Sequence, residues 1–316
     1  TDGTLLAGTL SYPKTDGVAA FVIIISGSGP QDRDGSMFGH KPYLVLGDHL
    51  NRAGIGVLRF DERGMGQSEG VAGMTDLSTQ IQDVQAALTY LKNRSDLRPT
   101  NLGLIGHSIG GLVAPQVAGL DAAVDFLVLL AAPGLPGDEL MLSQKADYER
   151  KLGIPEFQIS QGQALIQGAY NLITQSNLNG DALRDSLDQF YIQRYGTMLP
   201  ESQRNMVVNQ LSSSPEVVDL IRSQPAQHLE KIQIPVLALN GDKDFQVLSA
   251  ENLPAIEAAL KKAGNPHVHT VELKGLNHLF QESQTGILDE YAQIEQTFSP
   301  QALNLITTWI LERISQ

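Results

Sequence analysis

Residues 102–114 run from a buried-looking strand through a glycine-flanked serine into a helical pattern, and few folds accommodate that order. Leu102-Gly103-Leu104-Ile105 is a short apolar run, Gly106-His107-Ser108-Ile109-Gly110 follows, and Gly111-Leu112-Val113-Ala114 opens the helix. A serine on so sharp a strand-to-helix turn sits on strained backbone with its hydroxyl exposed at a sheet end. Glycines two residues to either side let the chain pass without clash. The same pattern recurs as Gly66-Gln67-Ser68-Glu69-Gly70, but it follows the polar turn Asp61-Glu62-Arg63-Gly64 and leads into Val71-Ala72-Gly73. It has neither the strand before nor the helix after. Ser108, not Ser68, is the expected nucleophile.

The flanking sequence fits a mostly parallel α/β sheet, because strand-sized apolar runs alternate with amphipathic stretches. Strands are expected at residues 5–12, 19–25, 56–60, 102–105, 125–130, 234–239 and 267–273, and helices at 42–53, 75–93, 250–262 and 301–315. In the helix at 75–93, Leu77, Ile81, Val84, Ala87, Leu88 and Leu91 recur at spacings of three and four. Residues 139–224 break the alternation: they lack strand-like runs and are rich in Gln, Asn, Ser and Leu at helical spacing. This reads as an all-helical insertion at 139–224 in a core formed by 1–138 and 225–316.

Composition closes several routes. The net charge of −13 argues against a nucleic-acid surface, which needs clustered Lys and Arg. No run approaches the roughly 18 apolar residues of a membrane span. The chain has no cysteine, which excludes a thiol nucleophile, a thiolate metal site and disulfides.

A serine hydroxyl needs a base, and the base needs an orienting acid. Where such an elbow occurs, the partners follow in chain order, first the acid and then histidine. Asp242 and Asp244 follow the strand ending at Leu239, and His278 follows the strand ending at Leu273. Ligands of open α/β sheets bind at that edge, so these groups can converge there. Asp244, three residues past the turn glycine Gly241, is favoured as the acid; Asp242 lies beside that glycine and is better placed to cap the turn. His107 is expected to pack in the elbow. His267 and His269 alternate on a strand, but no further ligands accompany them, so no metal is expected.

A tetrahedral intermediate also needs backbone N–H donors for its oxyanion. Ile109, after the nucleophile, is one expected donor. The glycine-rich loop Ser26-Gly27-Ser28-Gly29-Pro30, after the first long buried strand, supplies Ser28 or Gly29 as the other. The loop lacks a Gly-x-Gly-x-x-Gly or Gly-Lys-Ser/Thr pattern, so a phosphate cradle is disfavoured. Gln31-Asp32-Arg33-Asp34-Gly35 lacks the later acids and closing Glu of a calcium loop.

With these residues assembled, the chain resembles an α/β-hydrolase over nearly all its length. More narrowly it resembles a group of bacterial carboxylesterases that share a Gly-Ser-Gly-Pro-x-Asp-Arg-Asp loop, here residues 27–34, and an Asp-x-Arg-Gly-x-Gly-x-Ser turn, here residues 61–68. His40-Lys41-Pro42, residues 133–139 and the Gly-Leu-Asn-His-Leu-Phe-Gln ending at Gln281 strengthen the likeness. Two positions depart from it: Ser26 stands where many relatives have His, and Ile109 where many have Glu.

The resemblance implies a helical cap between strands six and seven, no cofactor, and hydrolysis of short- to medium-chain esters through an acyl-enzyme. The small-molecule ester is the expected partner, with Tyr170, Phe190 and Tyr191 of the insertion as expected pocket residues. A peptidase or thioesterase on the same fold, or a silent binding protein, are the rival readings. The chain itself contains no signal segment to decide the compartment, so bacterial cytoplasm or periplasm stays open, as do residues before Thr1 and the oligomeric state, a dimer included.

Overall fold

The computed structural model describes residues 2–13, 18–97 and 101–315. Among them, β1 (Gly8–Ser11), β2 (Ala20–Ile25), β3 (Ile55–Phe60), β4 (Leu102–His107), β5 (Phe126–Leu130), β6 (Val236–Gly241) and β7 (Val268–Leu273) form one sheet in the order β1-β3-β2-β4-β5-β6-β7. Only β1 runs antiparallel, against β3. This is the α/β-hydrolase fold. The opening strand is shorter than the expected 5–12, because Leu5 and Ala7 pair instead with the turn after β3, through the Glu69 and Ser68 side chains.

The central strands are apolar on both sides because both faces of the sheet are covered. Along β2, Phe21, Ile23 and Ile25 pack into one core with α2 (Leu77–Lys92), α3 (Gly110–Leu120) and α10 (Ser249–Lys262). Ala20, Val22 and Ile24 pack into the opposite core with α1 (Pro42–Arg52) and α12 (Pro300–Ile314). Each fully buried aliphatic side chain contributes roughly 1.5–3 kcal/mol of transfer free energy. Proline opens α1 and α12, where its fixed φ suits the first turn and its missing N–H costs nothing. Asp76 caps α2, its side chain accepting from Thr79 N at 2.7 Å.

Between β5 and β6 come α4 (Gly137–Lys151), α5 (Glu156–Gln175), α6 (Gly180–Tyr195), α7 (Glu201–Ser212), α8 (Pro215–Arg222) and α9 (Pro225–Leu229), with no strand among them. The helices begin just before residue 139, since Pro136 occupies the N-cap of α4. They follow the fifth strand, not the sixth, because nothing described pairs outside β1. Ala169, Ile173, Leu183, Leu187, Val208, Leu211 and Ile221 give this segment its own apolar core.

The strand order reverses between β2 and β4, and at such a switch point the loops leaving the two strands face each other. Ile25 pairs with Gly106 in register, so the glycine loop after β2 emerges beside Ser108.

Candidate active site

Ser108 has φ of +53°, a left-handed conformation that side chains rarely adopt. It is held by the neighbouring strand β5, where Ser108 N–H donates to the Leu130 carbonyl at 2.8 Å, and by the helix after, where Gly111 N–H donates to the Ser108 carbonyl at 2.8 Å. The flanking glycines are required by close approach. A Cβ on Gly106 would stand 2.3 Å from the Gly110 oxygen, and one on Gly110 would stand 2.5 Å from the Ile25 oxygen. Ser68, by contrast, is spent in a turn: its hydroxyl donates to the Asp61 carbonyl at 2.7 Å and accepts the Ala7 N–H at 2.9 Å.

Asp244 and His278 meet through a 2.7 Å contact between Oδ2 and Nδ1, with Asp244 1% and His278 4% exposed. The second carboxylate oxygen of Asp244 accepts the N–H groups of Gln246 and Val247 at 2.8 and 3.0 Å. Both oxygens are thus satisfied, and Nδ1 carries the proton it shares with Asp244, which leaves Nε2 as the basic nitrogen. Asn277 shapes the turn that carries His278, since its Oδ1 accepts the N–H groups of Leu279 and Gln281 at 3.0 Å each. Asp242 instead accepts the Gly275 N–H at 2.6 Å, tying the β6 and β7 exits together away from the histidine.

Ser108 and His278 line one cavity of about 100 Å³ with Gly27, Ser28, Gln31 and His107. Phe38, Leu279, Leu288 and Tyr291 supply its apolar wall. No residue of 139–224 is among its lining. Tyr170 and Tyr191 lie in the helical segment's own core, and Phe190 packs against that core with its ring edge-on to Tyr191. These aromatics therefore do not reach the cavity; helical spacing aligned them toward each other.

The glycine loop is also more committed than its sequence suggests. The Gly29 N–H donates to Glu216 Oε1 of α8 at 2.9 Å, so it is not free for an oxyanion. Among the described residues, no hydrogen bond engages the N–H of Ser28 or Ile109, and those two remain as donors. Behind the loop, Ser26 Oγ donates to Glu62, and Gln31 N–H donates to the same carboxylate at 3.3 Å. Burial first, then the nearby Glu216, push the Glu62 carboxyl up to about 8. Burial likewise raises Glu216, whose Oε2 accepts Gln80 Nε2 at 2.9 Å.

The remaining acidic and histidine signals are structural. Arg33 pairs with Asp61 through Nε at 3.0 Å and Nη2 at 2.5 Å, Arg59 pairs with Asp34, and Asp32 caps its own turn. Among the described residues no cluster of His, Asp or Glu is arranged for a metal, His267 and His269 included.

The family described as serine aminopeptidase, S33, matches residues 40–284 of the 316. The chain belongs to this family. It is 26% identical over 277 residues to esterase EstD of Thermotoga maritima, a match that covers 87% of the chain and 58% of that esterase. The chain therefore spans little more than half the length of that relative. Among solved structures, the monoacylglycerol lipase of Paleococcus ferrophilus aligns over 98% of the chain and 99% of its own, with TM-score 0.55 and 19% identity. An esterase of Pyrococcus furiosus aligns over 100% of the chain and 88% of its own, with TM-score 0.58 and 17% identity. At those identities the likeness speaks to the fold.

Within this family member, sequence reading missed Phe38 and Tyr291 as cavity wall and Glu216 as the loop's partner. Phe38 carried no periodic signal, because it sits at φ +52° in a loop bridge between Met37 and His40. Tyr291 is held by a contact remote in sequence: His40 Nε2 donates to its carbonyl at 3.1 Å.

Proposed function

We propose that the protein is a serine carboxylesterase of the group marked by the Gly-Ser-Gly-Pro-x-Asp-Arg-Asp loop. The observation that carries this reading is the buried Asp244–His278 pair, opening into the same cavity as a serine on left-handed backbone. Ser108 Oγ attacks the ester carbonyl carbon as His278 Nε2 takes its proton. Asp244 holds the ring and stabilises the imidazolium. The N–H groups of Ile109 and Ser28 stabilise the oxyanion. Collapse of the tetrahedral adduct breaks the bond to the alcohol oxygen, which takes the proton from His278. Water, activated by the same nitrogen, then attacks the acyl-serine and releases the acid. No cofactor enters these steps.

A cavity of about 100 Å³ favours short acyl groups. Residues 139–224 act as a cap that reaches the site through Glu216 and the glycine loop rather than as a roof of aromatics. The 26% identity to an esterase supports the ester reading, and the family's description supports peptide hydrolysis as the second. The test uses a fluorophosphonate label with peptide mapping, and turnover on p-nitrophenyl acetate to decanoate against aminoacyl p-nitroanilides. The expected result is a label on Ser108 and ester turnover alone. A label elsewhere overturns the nucleophile, and faster anilide turnover overturns the esterase reading.

A further inference from the structure

His107, the variable residue inside the serine elbow, is hydrogen-bonded to two other segments and, through one of them, linked to a third. Its Nε2 lies 3.0 Å from the main-chain oxygen of His278. A carbonyl only accepts, so Nε2 carries the proton and Nδ1 does not. Nδ1, then, accepts from Tyr43, whose hydroxyl lies 3.0 Å away. That same hydroxyl accepts the N–H of Gly27 at 3.0 Å. The donors thus run in one direction: Gly27 N–H to Tyr43 Oη, Tyr43 O–H to His107 Nδ1, and His107 Nε2–H to the His278 carbonyl. Tyr43 is 3%, His107 5% and His278 4% exposed. Burial first, then the adjacent His278, hold His107 down to about 3, which keeps the ring neutral, and burial raises Tyr43, which keeps its proton. The His107 ring also lies tilted against the His278 ring, centroids 4.9 Å apart.

We propose that Tyr43 and His107 are positioning residues: one hydrogen-bonded relay that fixes the glycine loop at one end and the main chain of the histidine base at the other. The role rests on the esterase reading above. Asp244 sets the orientation of the His278 ring, but it does not hold the backbone from which that ring projects. The relay does, and its far end stops the loop at Gly27, one residue before the Ser28 N–H. A Cβ on Gly27 would stand 3.2 Å from that of Ser108, so the loop packs directly against the nucleophile and small shifts reach the reacting atoms. Misplacement of such groups by even about 1 Å costs on the order of 10²-fold in rate.

The test combines kinetics with a readout that needs no turnover. In the whole protein, ¹⁵N spectra of His107 should show a neutral Nε2–H ring that does not titrate above pH 4, changed by Tyr43→Phe. A ring protonated at Nδ1, or one titrating near its ordinary 6.5, overturns the relay whether or not the protein hydrolyses esters. Tyr43→Phe should lower kcat tenfold or more with KM within threefold. His107→Gln, which keeps one donor and one acceptor, should retain more kcat than His107→Leu. The double variant Tyr43→Phe with His107→Leu should be no slower than His107→Leu alone, since the two form one unit. Additive losses, or a lower melting temperature at unchanged kcat, overturn the positioning role. If no variant of Ser108 affects hydrolysis while the spectra stand, it is the esterase reading that fails.

Discussion

The backbone N–H of Gly29 donates to Glu216 Oε1 at 2.9 Å, which ties the glycine loop after β2 to helix α8. Glu216 is 8% exposed, and its other oxygen accepts Gln80 Nε2 from α2. Asp219, one turn later on α8, accepts the Leu77 N–H at 3.0 Å. The loop is thus set by a contact made 187 residues away in sequence. Glu216→Ala leaves a half-buried N–H unpaired, which should cost about 1–3 kcal/mol of stability. Glu216→Gln keeps an acceptor and should retain both stability and turnover. Thermal melts and ester kinetics on the two variants check this, and equal damage from both would locate the effect in charge rather than in the hydrogen bond.

Loss of the nucleophile should separate the two Gly-x-Ser-x-Gly matches. Ser108→Ala should abolish ester hydrolysis and phosphonate labelling without changing the fold. Ser68→Ala breaks the bonds to Asp61 and Ala7 and should lower the melting temperature while leaving kcat within a few-fold. A phosphonate label on Ser68 would sink the assignment.

His278→Ala should match Ser108→Ala in severity, because triad members act as a unit. Asp244→Asn should lower turnover by about 10⁴, since an amide donating to Nδ1 forces the wrong tautomer. Asp242→Asn keeps an acceptor for Gly275 and should change kcat less than about threefold. Steady-state kinetics with circular dichroism on each variant checks the ranking, and the reverse order for the two aspartates would exchange their roles.

Asp244 and His278 could be placed from sequence because each follows directly on an apolar strand, and parallel strands deliver their exits to one edge. The elbow was legible for the same reason. Partners fixed by packing between distant segments were not. Tyr43 and His107 stand 64 residues apart, and nothing local marks one as the other's donor. Helical periodicity shows which residues of α5 and α6 share a face but not what that face meets. Tyr170 and Tyr191 met each other's helices.

The Glu62 carboxyl offers a pH signature. Its folded value, about 8, stands above the ordinary 4.5, because burial and the neighbouring Glu216 and Asp83 disfavour the charge more than Ser26 and the Gln31 N–H favour it. In that window the folded chain holds a proton that the unfolded chain has lost. Stability from this group is therefore complete below about pH 4.5 and falls as pH rises toward 8. Glu62→Gln should flatten the decline of melting temperature between pH 5 and 8. An unchanged slope would mean that the group titrates normally.

The apolar wall beside Ser108 includes Phe38, Leu279, Leu288 and Tyr291, whereas Tyr170 and Tyr191 fill the helical segment's own core and Phe190 packs against it. Enlarging the wall should admit longer acyl groups, because a transfer gain of about 0.8 kcal/mol per methylene is realised only where space exists. Phe38→Ala should thus shift the p-nitrophenyl series from its wild-type optimum, expected between acetate and about hexanoate, toward longer chains. Tyr170→Ala and Tyr191→Ala should leave the order of substrates unchanged and destabilise the protein by about 3–5 kcal/mol, the cost of a large core cavity. Phe38→Ala has little such cost, since Phe38 is 45% exposed. A chain-length shift in the tyrosine variants with none in Phe38→Ala would place the acyl group under the helical segment instead.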